Sequence, residues 1–257
     1  MNELVSIIMP SYNTANYISE SIKSVQAQTY TNWELIIVDD CSTDNTDEVV
    51  GAFLSDRRIR YLKNERNSGA AVSRNRALRE AKGHWVAFLD SDDTWETEKL
   101  TRQIAFMEEH NYAFTFTDYR IQLNGKWLPY RYTGPNVVDK RKMYNYCYFS
   151  TITVVYDAQK IGLIQIEDLK KNNDYAMWLL AVEKTKCYRF PECLSNYIKH
   201  ENSISSGNKF RLIKWHYILF RKGMHKNPVV SAILTVNNLL HGIVKKIRYK
   251  ELLKEEK

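Results

Sequence analysis

The chain has 257 residues, 44% of them hydrophobic and 26% charged, with a net charge of +7. That length suits one α/β domain with an added segment, and the apolar fraction supports a substantial buried core. No window approaches the roughly 18 uncharged apolar residues of a spanning helix, and "MNELVSIIMPSYN" lacks the basic start and long apolar run of a signal peptide. Cys41, Cys147, Cys187 and Cys193 show no CxxC spacing, which argues against a disulfide framework or a zinc site and fits reduced thiols in the cytoplasm.

"LVSIIM" (4–9) reads as a short buried strand followed by Pro10. Ile18, Ile22 and Val25 then mark one helical face. "WELIIVDD" (33–40) is a second strand, and Asp44 can cap a helix carrying Val49, Val50 and Phe53. "RIRYLKN" is a third strand. "GAAVSRNRALREAKG" (69–83) is a helix with Gly83 as its stop. "WVAFLD" is a fourth strand, "ETEKLTRQIAFMEEHN" a helix and "YAFTFTDY" a strand. Strands alternating with helices of this length predict an α/β fold with a mostly parallel sheet, because parallel neighbours need crossover connections. After about residue 120 the alternation stops. "CYFSTITVVYDAQ" is expected to be a strand, "NNDYAMWLLAVEKT" a helix, and the chain from Lys209 two helical segments broken at "KNP" (226–228).

In open parallel sheets ligands sit beyond the carboxyl ends of the strands. Pro10, Ser11, Tyr12 and Asn13 follow the first strand, Asp39 and Asp40 the second, and Asp90, Asp92 and Asp93 the fourth. Carboxylates held this close either share protons at raised pKa or bind a cation. Oxygen-only ligands favour Mg2+ or Mn2+, which take their remaining ligands from waters and substrate phosphates. The rival use of the triplet is to cap the next helix, as "DDTWETEKL" could. Asp44 suits a cap better than a ligand; Asp40, directly after its strand, is the better ligand candidate. "PSYNTANY" is no GxGxxG, and there is no GxxxxGK[ST] or GxSxG. These absences count against a dinucleotide oxidoreductase, a P-loop NTPase and an α/β-hydrolase.

The segments "VSIIMPSYNTANYISESIKSVQAQTYTNWELIIVDDCSTDNT", "NSGAAVSRNRAL" and "GHWVAFLDSDDTW" together resemble the family 2 inverting glycosyltransferases of GT-A fold, over roughly residues 3–120. The resemblance implies a Rossmann-like sheet flanked by helices, a nucleotide-diphosphate sugar donor (usually a UDP-sugar) and a divalent metal at a DxD-like motif. It places Pro10, Tyr12 and Asn13 in the nucleotide pocket and makes Asp40 the acid that contacts uracil. Asn67, Gly69 and Arg74 match the segment that closes over the nucleotide, and Arg74 could equally be a structural ion pair. Asp90-Ser91-Asp92 is the DxD pattern; Asp92 and Asp93 are expected to face ribose, diphosphate and metal, while Asp90 anchors the loop. "LKKNNDYAMWLLAVEK" resembles the ED-x-x-x-W helix, with Asp174 as catalytic base, Trp178 packed nearby and Asn173 where the family often has Glu. "YIKHENSIS" resembles a loop after that helix, from which His200 could reach the metal. Cys41 stands where the family commonly has Gly; a small side chain is expected to fit, and no redox chemistry is read into it.

The expected domains are a catalytic domain over 1–205, with a nucleotide-sugar half to 120 and an acceptor half after it, and a basic helical region over 206–257. From Ser205 to Lys257 there are twelve Lys and Arg against three Glu, +9, which leaves −2 for the rest. A basic end on a near-neutral body suggests an anionic partner. "FRLIKWHYILFRKGMHK" mixes aromatic and basic residues as interfacial helices do, and its alternative is packing on the domain. The expected enzyme is a hexosyl- or N-acetylhexosaminyl-transferase acting on a polysaccharide or lipid-linked glycan, cytoplasmic or peripheral on the inner membrane face. Nucleic acid is not an expected partner, because the acid clusters would repel phosphates. The rival readings are a sugar-phosphate nucleotidyltransferase, which lacks its Gly-rich phosphate loop here, and a non-enzymatic basic protein binding nucleic acid or membrane.

Overall fold

The first half of the chain runs β1 (Val5–Ser11), α1 (Ile18–Gln26), β2 (Trp33–Asp39), α2 (Thr46–Gly51), β3 (Ile59–Lys63), α3 (Ala70–Glu80), β4 (Trp85–Phe88), β5 (Thr94–Trp95) and α4 (Lys99–His110). The second half runs β6 (Phe114–Leu123), β7 (Lys126–Tyr132), β8 (Val137–Val138), α5 (Lys140–Asn145), β9 (Val154–Asp157), α6 (Ala158–Ile161), α7 (Asn173–Lys184), β10 (Cys187–Lys199), α8 (Lys209–Ile218), α9 (Pro228–Arg248) and β11 (Lys250–Leu252). The structure is a computed structural model and describes residues 2–199 and 209–253.

The period of two along β1 and β2 divides their side chains between two cores. Val5, Ile7, Met9, Leu35 and Ile37 join Ile18, Ile22 and Val25 of α1 on one side of the sheet. Ile8, Ile36 and Val38 join Ala77 and Leu78 of α3 and Trp178 of α7 on the other. Strands covered on both faces are continuously apolar, which is why these segments are legible in the sequence.

The main sheet has the order β11-β7-β6-β9-β4-β1-β2-β3. β4, β1, β2 and β3 are parallel, as expected. From β4 outward the sheet is mixed: β9, β6, β7 and β11 join antiparallel to their neighbours, while β10 runs parallel to β6 and antiparallel to β5 and β8. The reversal begins with a hairpin. Leu123 pairs Lys126 across Asn124-Gly125, both at positive φ (50° and 76°), the backbone that a tight two-residue hairpin turn requires.

Pro10 does not follow β1 but lies within it, opposite Val38. Leu89 N donates to Ile8 O, so alternation turns residue 10 toward the β4 side as well. The β1–β4 pairing has already ended at Ile8–Phe88, and the missing N–H of Pro10 costs no ladder bond there. Gly83 is also not a left-handed helix stop. A Cβ there would lie 2.5 Å from Ser6 N and 2.8 Å from Leu4 O, so glycine lets this backbone pass against β1.

Two helices follow Lys209 as expected, but the region is not only helical. β11 extends the sheet on β7, and Arg131 pairs Glu251 at 2.7 Å. Leu219 and Phe220, in the π turn after α8, are buried in the main core, so this end of "FRLIKWHYILFRKGMHK" packs on the domain. The division expected at residue 120 falls inside β6, which pairs both β9 and β10. The division expected at 205 lies outside the described residues.

Candidate active site

β4 ends at Phe88, and the chain turns at once, with Asp93 N donating to Asp90 O at 3.1 Å. This turn carries the acid triplet to the carboxyl edge of β1 and β4. Its three carboxylates differ in use. Asp90 Oδ1 accepts from Arg74 Nη2 at 2.6 Å. Asp92 is part-open to solvent. Burial, and then the neighbouring Asp90, push its pKa up to about 6. Asp93, the other expected metal ligand, is fully buried. The turn leads directly into β5, which pairs β10, so Asp93 Oδ1 meets Ile198 N of β10 at 2.7 Å. Its Oδ2 is buried without a hydrogen-bond partner, and burial with the repulsion of Asp92 and Asp90 raises its pKa well above the carboxylate range.

Arg74 projects from α3, almost fully buried, between the acid turn and α7. Nη1 donates to Asn173 Oδ1 while Nη2 holds Asp90. Burial opposes its charge, but Asp90, Asp174 and Asp92 outweigh that, and its pKa is raised. Asn173, where the resemblance has Glu, thus supplies a neutral acceptor to this guanidinium. Asp174 stands in the first turn of α7, partly exposed. Its Oδ2 accepts from Thr151 Oγ1 at 3.2 Å and its Oδ1 from Tyr175 N at 2.8 Å. Trp178 is buried beneath, with Phe88 edge-on at 5.0 Å and its Nε1 donating to Thr151 Oγ1 at 3.4 Å. Thr151 is the site residue that sequence reasoning missed; its only signal was a place just before β9.

The nucleotide-side residues split in two. Asn13, at φ 52°, ties the loop after β1 to the loop after β2: its N–H donates to Ser42 Oγ at 2.9 Å and its Oδ1 accepts from Thr43 N at 2.8 Å. Tyr12 beside it is exposed and Pro10 is buried in β1. Asp40, expected to contact the base, is buried and committed to protein donors. It accepts from Asn64 Nδ2 at 2.8 Å, Ser68 N at 2.9 Å and Gly69 N at 2.6 Å. The reason is local: Ser68 and Gly69 precede α3, whose first amides lack intrahelical acceptors, and a carboxylate satisfies them. Gly69 sits at φ 90°, a conformation that L side chains disfavour, and Asn67 is exposed beside it. Asp44, expected to cap α2, lies one residue before the N-cap, Asn45; it accepts from Thr46 N at 3.1 Å and Thr46 Oγ1 at 2.6 Å. Cys41 lies at φ 64°, so the reason for a glycine there is backbone conformation and not side-chain space. His200 lies outside the described residues.

Among the described residues no group of three His, Cys, Asp or Glu could hold a metal by itself. The triplet does fit a cation that draws further ligands from a diphosphate. The buried Asp93 Oδ2, which no protein donor meets, lies beside Asp92, and the raised pKa of both marks carboxyl oxygens that a cation could take over from a proton.

Residues 6–165 match the family model described as Glycosyl transferase family 2. The chain is 40% identical over 222 residues (85% of it and 88% of the relative) to the putative teichuronic acid biosynthesis glycosyltransferase TuaG of Bacillus subtilis. It is 39% identical over 245 residues, 94% of each chain, to the UDP-Glc:alpha-D-GlcNAc-diphosphoundecaprenol beta-1,3-glucosyltransferase WfgD of Escherichia coli. Its fold matches that of S. aureus TarS 1-349, solved with UDP-GlcNAc, at a TM-score of 0.71 and 23% identity over 91% of this chain and 71% of that one. With its mixed sheet flanked by helices and an acid turn at the carboxyl edge of the parallel strands, the chain belongs to glycosyl transferase family 2 and is a glycosyltransferase.

Proposed function

We propose that the protein is an inverting transferase that moves a hexosyl or N-acetylhexosaminyl group from a UDP-sugar to a hydroxyl of a polysaccharide or lipid-linked glycan. The observation that carries this reading is Arg74, which ties the acid turn to the helix of Asp174 and whose charge both groups feel. An in-line displacement needs a base on one face of the anomeric carbon and charge stabilisation on the other. Asp174 is the base, oriented by the Thr151 hydroxyl and open enough to meet an acceptor. A divalent cation, Mn2+ or Mg2+, held by Asp92 and Asp93, would offset the charge developing on the departing diphosphate. Pro10, Tyr12 and Asn13 line the nucleotide pocket. Asp40 acts through the Asn67–Gly69 segment, which it holds in place. The donor and acceptor class follow the names of UDP-dependent relatives covering nearly the whole chain. Family membership leaves the nucleotidyltransferase and nucleic-acid readings without support. An acceptor presented by lipid calls for an enzyme held at the membrane surface, and the basic C-terminal region is the part of the chain suited to that.

Asp174→Asn tests the assignment. It is expected to retain UDP-sugar affinity by calorimetry and to lose transfer by about 10^2–10^4-fold. Transfer at the wild-type rate would remove Asp174 from the mechanism. A thermal-shift panel of nucleotide sugars with and without Mn2+ identifies the donor, and no response to any of them would defeat the reading as a whole.

A further inference from the structure

Helix α9 is amphipathic with its faces reversed. The residues it buries against the protein are Ser231, Thr235 and Asn238, all polar. Thr235 Oγ1 donates to Ser231 O at 2.7 Å and Asn238 Nδ2 to Tyr175 Oη at 2.7 Å, while Asn238 Oδ1 is buried without a partner. On the same helix Asn237 Nδ2 donates to Asn145 Oδ1 at 2.7 Å. The opposite face carries Val229, Ile233, Val236, Leu240, Ile243 and Ile247, each between 59% and 78% exposed. Their spacing, four and three residues in turn, keeps them on one stripe along the full helix. A surface helix of a water-facing protein has the reverse arrangement, and a contiguous apolar face of this length marks an interaction surface.

The charges around the stripe favour one occupant. The helix contains no Asp or Glu; Lys246 and Arg248 stand exposed in its last turn and Lys250 follows, while Lys245 turns onto the protein, its Nζ donating to Cys147 O at 3.2 Å. A second copy docked on this face would bring helix against helix with no carboxylate on either to meet those cations, and the like charges would oppose pairing. An anionic bilayer offers both an apolar layer for the stripe and phosphates for the lysines. No described helix is long and apolar enough to cross a membrane, so the fitting geometry is a helix lying in the interface plane. We propose that the outer face of α9 seats the enzyme on an anionic phospholipid surface. The proposal gives a location to the membrane attachment of the function proposed above and rests on that reading for its purpose, while its support is the reversed helix itself.

The test uses the full chain with vesicles of phosphatidylglycerol and phosphatidylcholine, and with pure phosphatidylcholine. Wild type is expected to co-sediment with the anionic vesicles and more weakly with the neutral ones. Val236→Glu/Leu240→Glu, at positions already in solvent, is expected to keep the wild-type melting temperature and lose vesicle affinity by at least about tenfold. Lys246→Glu/Arg248→Glu is expected to lose the preference for anionic lipid. UDP-sugar binding in solution is measured on each variant. If it is absent throughout while vesicle binding follows the pattern above, the UDP-sugar reading fails and the surface stands. The proposal is overturned if the Val236/Leu240 variant sediments like wild type. It is equally overturned if wild type ignores both vesicles, including the case of a dimer that this variant dissociates.

Discussion

Arg74 Nη2 lies 2.6 Å from Asp90 Oδ1, and the same guanidinium donates through Nη1 to Asn173 at the start of α7. One planar fork therefore sets the distance between the acid turn and the start of α7, where Asp174 stands as the proposed base. Lysine has a single charged point and cannot hold both acceptors in fixed directions. Arg74→Lys is expected to fold, with transfer reduced by about a hundredfold through lost positioning. Arg74→Ala leaves Asp90 unpaired and is expected to cost about 3 kcal/mol in urea unfolding.

The acid turn gives a prediction for metal. Chelation with EDTA is expected to abolish transfer, and Mn2+ or Mg2+ to restore it. Asp92→Asn is expected to lower metal-dependent transfer by about 10^2–10^3-fold. Its effect on the metal-free fold has the opposite sense. The folded pKa of Asp92 is raised from 3.8 to about 6 by burial and Asp90, so the folded state holds its proton longer than the unfolded state does. Stability contributed by Asp92 is present below pH 3.8 and is lost as pH rises through about 6. Asp92→Asn should lack that loss and melt higher than wild type at pH 7 without metal.

Cys41 offers a stabilising change. Its φ of 64° lies in the left-handed region, where an L residue with a Cβ is disfavoured by about 1 kcal/mol. Cys41→Gly is expected to raise stability by about that amount in chemical denaturation and to leave transfer unchanged.

Lys99 lies fully buried in the first turn of α4. Its Nζ sits 3.8 Å over the Trp95 ring and has no hydrogen-bond partner. Burial drives its pKa well below the ordinary 10.5. The unfolded chain then binds the proton more tightly, so stability rises with pH up to about 10.5 and falls as pH drops through the folded pKa. Lys99→Met keeps the volume and removes the charge. It is expected to raise the melting temperature at pH 7 and to flatten the rise on the alkaline side.

The parallel half of the molecule was legible because its strands are uninterrupted apolar runs and its helices show one face. In the other half β6, α7 and the two helices after Lys209 were legible, but the long strand β10 was not. β10 carries Arg189, Pro191 and Glu192, and its pairing with β6 shifts register on both sides of Cys193, so no period of two survives. The β6–β7 hairpin did leave a signal, Asn124-Gly125, that went unread. At the site the acidic residues were visible, but their division of labour was not. Asp40 serves backbone amides 28 and 29 residues away, and Arg74 reaches Asn173 across 99 residues. Contacts at that range leave no pattern in a single chain.

Ile198 N, held by Asp93, has a further consequence for recombination among relatives. The acid turn comes from the first half of the sequence, yet its most buried carboxylate is fastened by β10 of the second half. A crossover at residue 120 would also cut β6, which carries β9 on one edge and β10 on the other. Chimeras that exchange the later half therefore inherit a matching problem at β5 and β10, because they replace the strand that holds the acid turn in place.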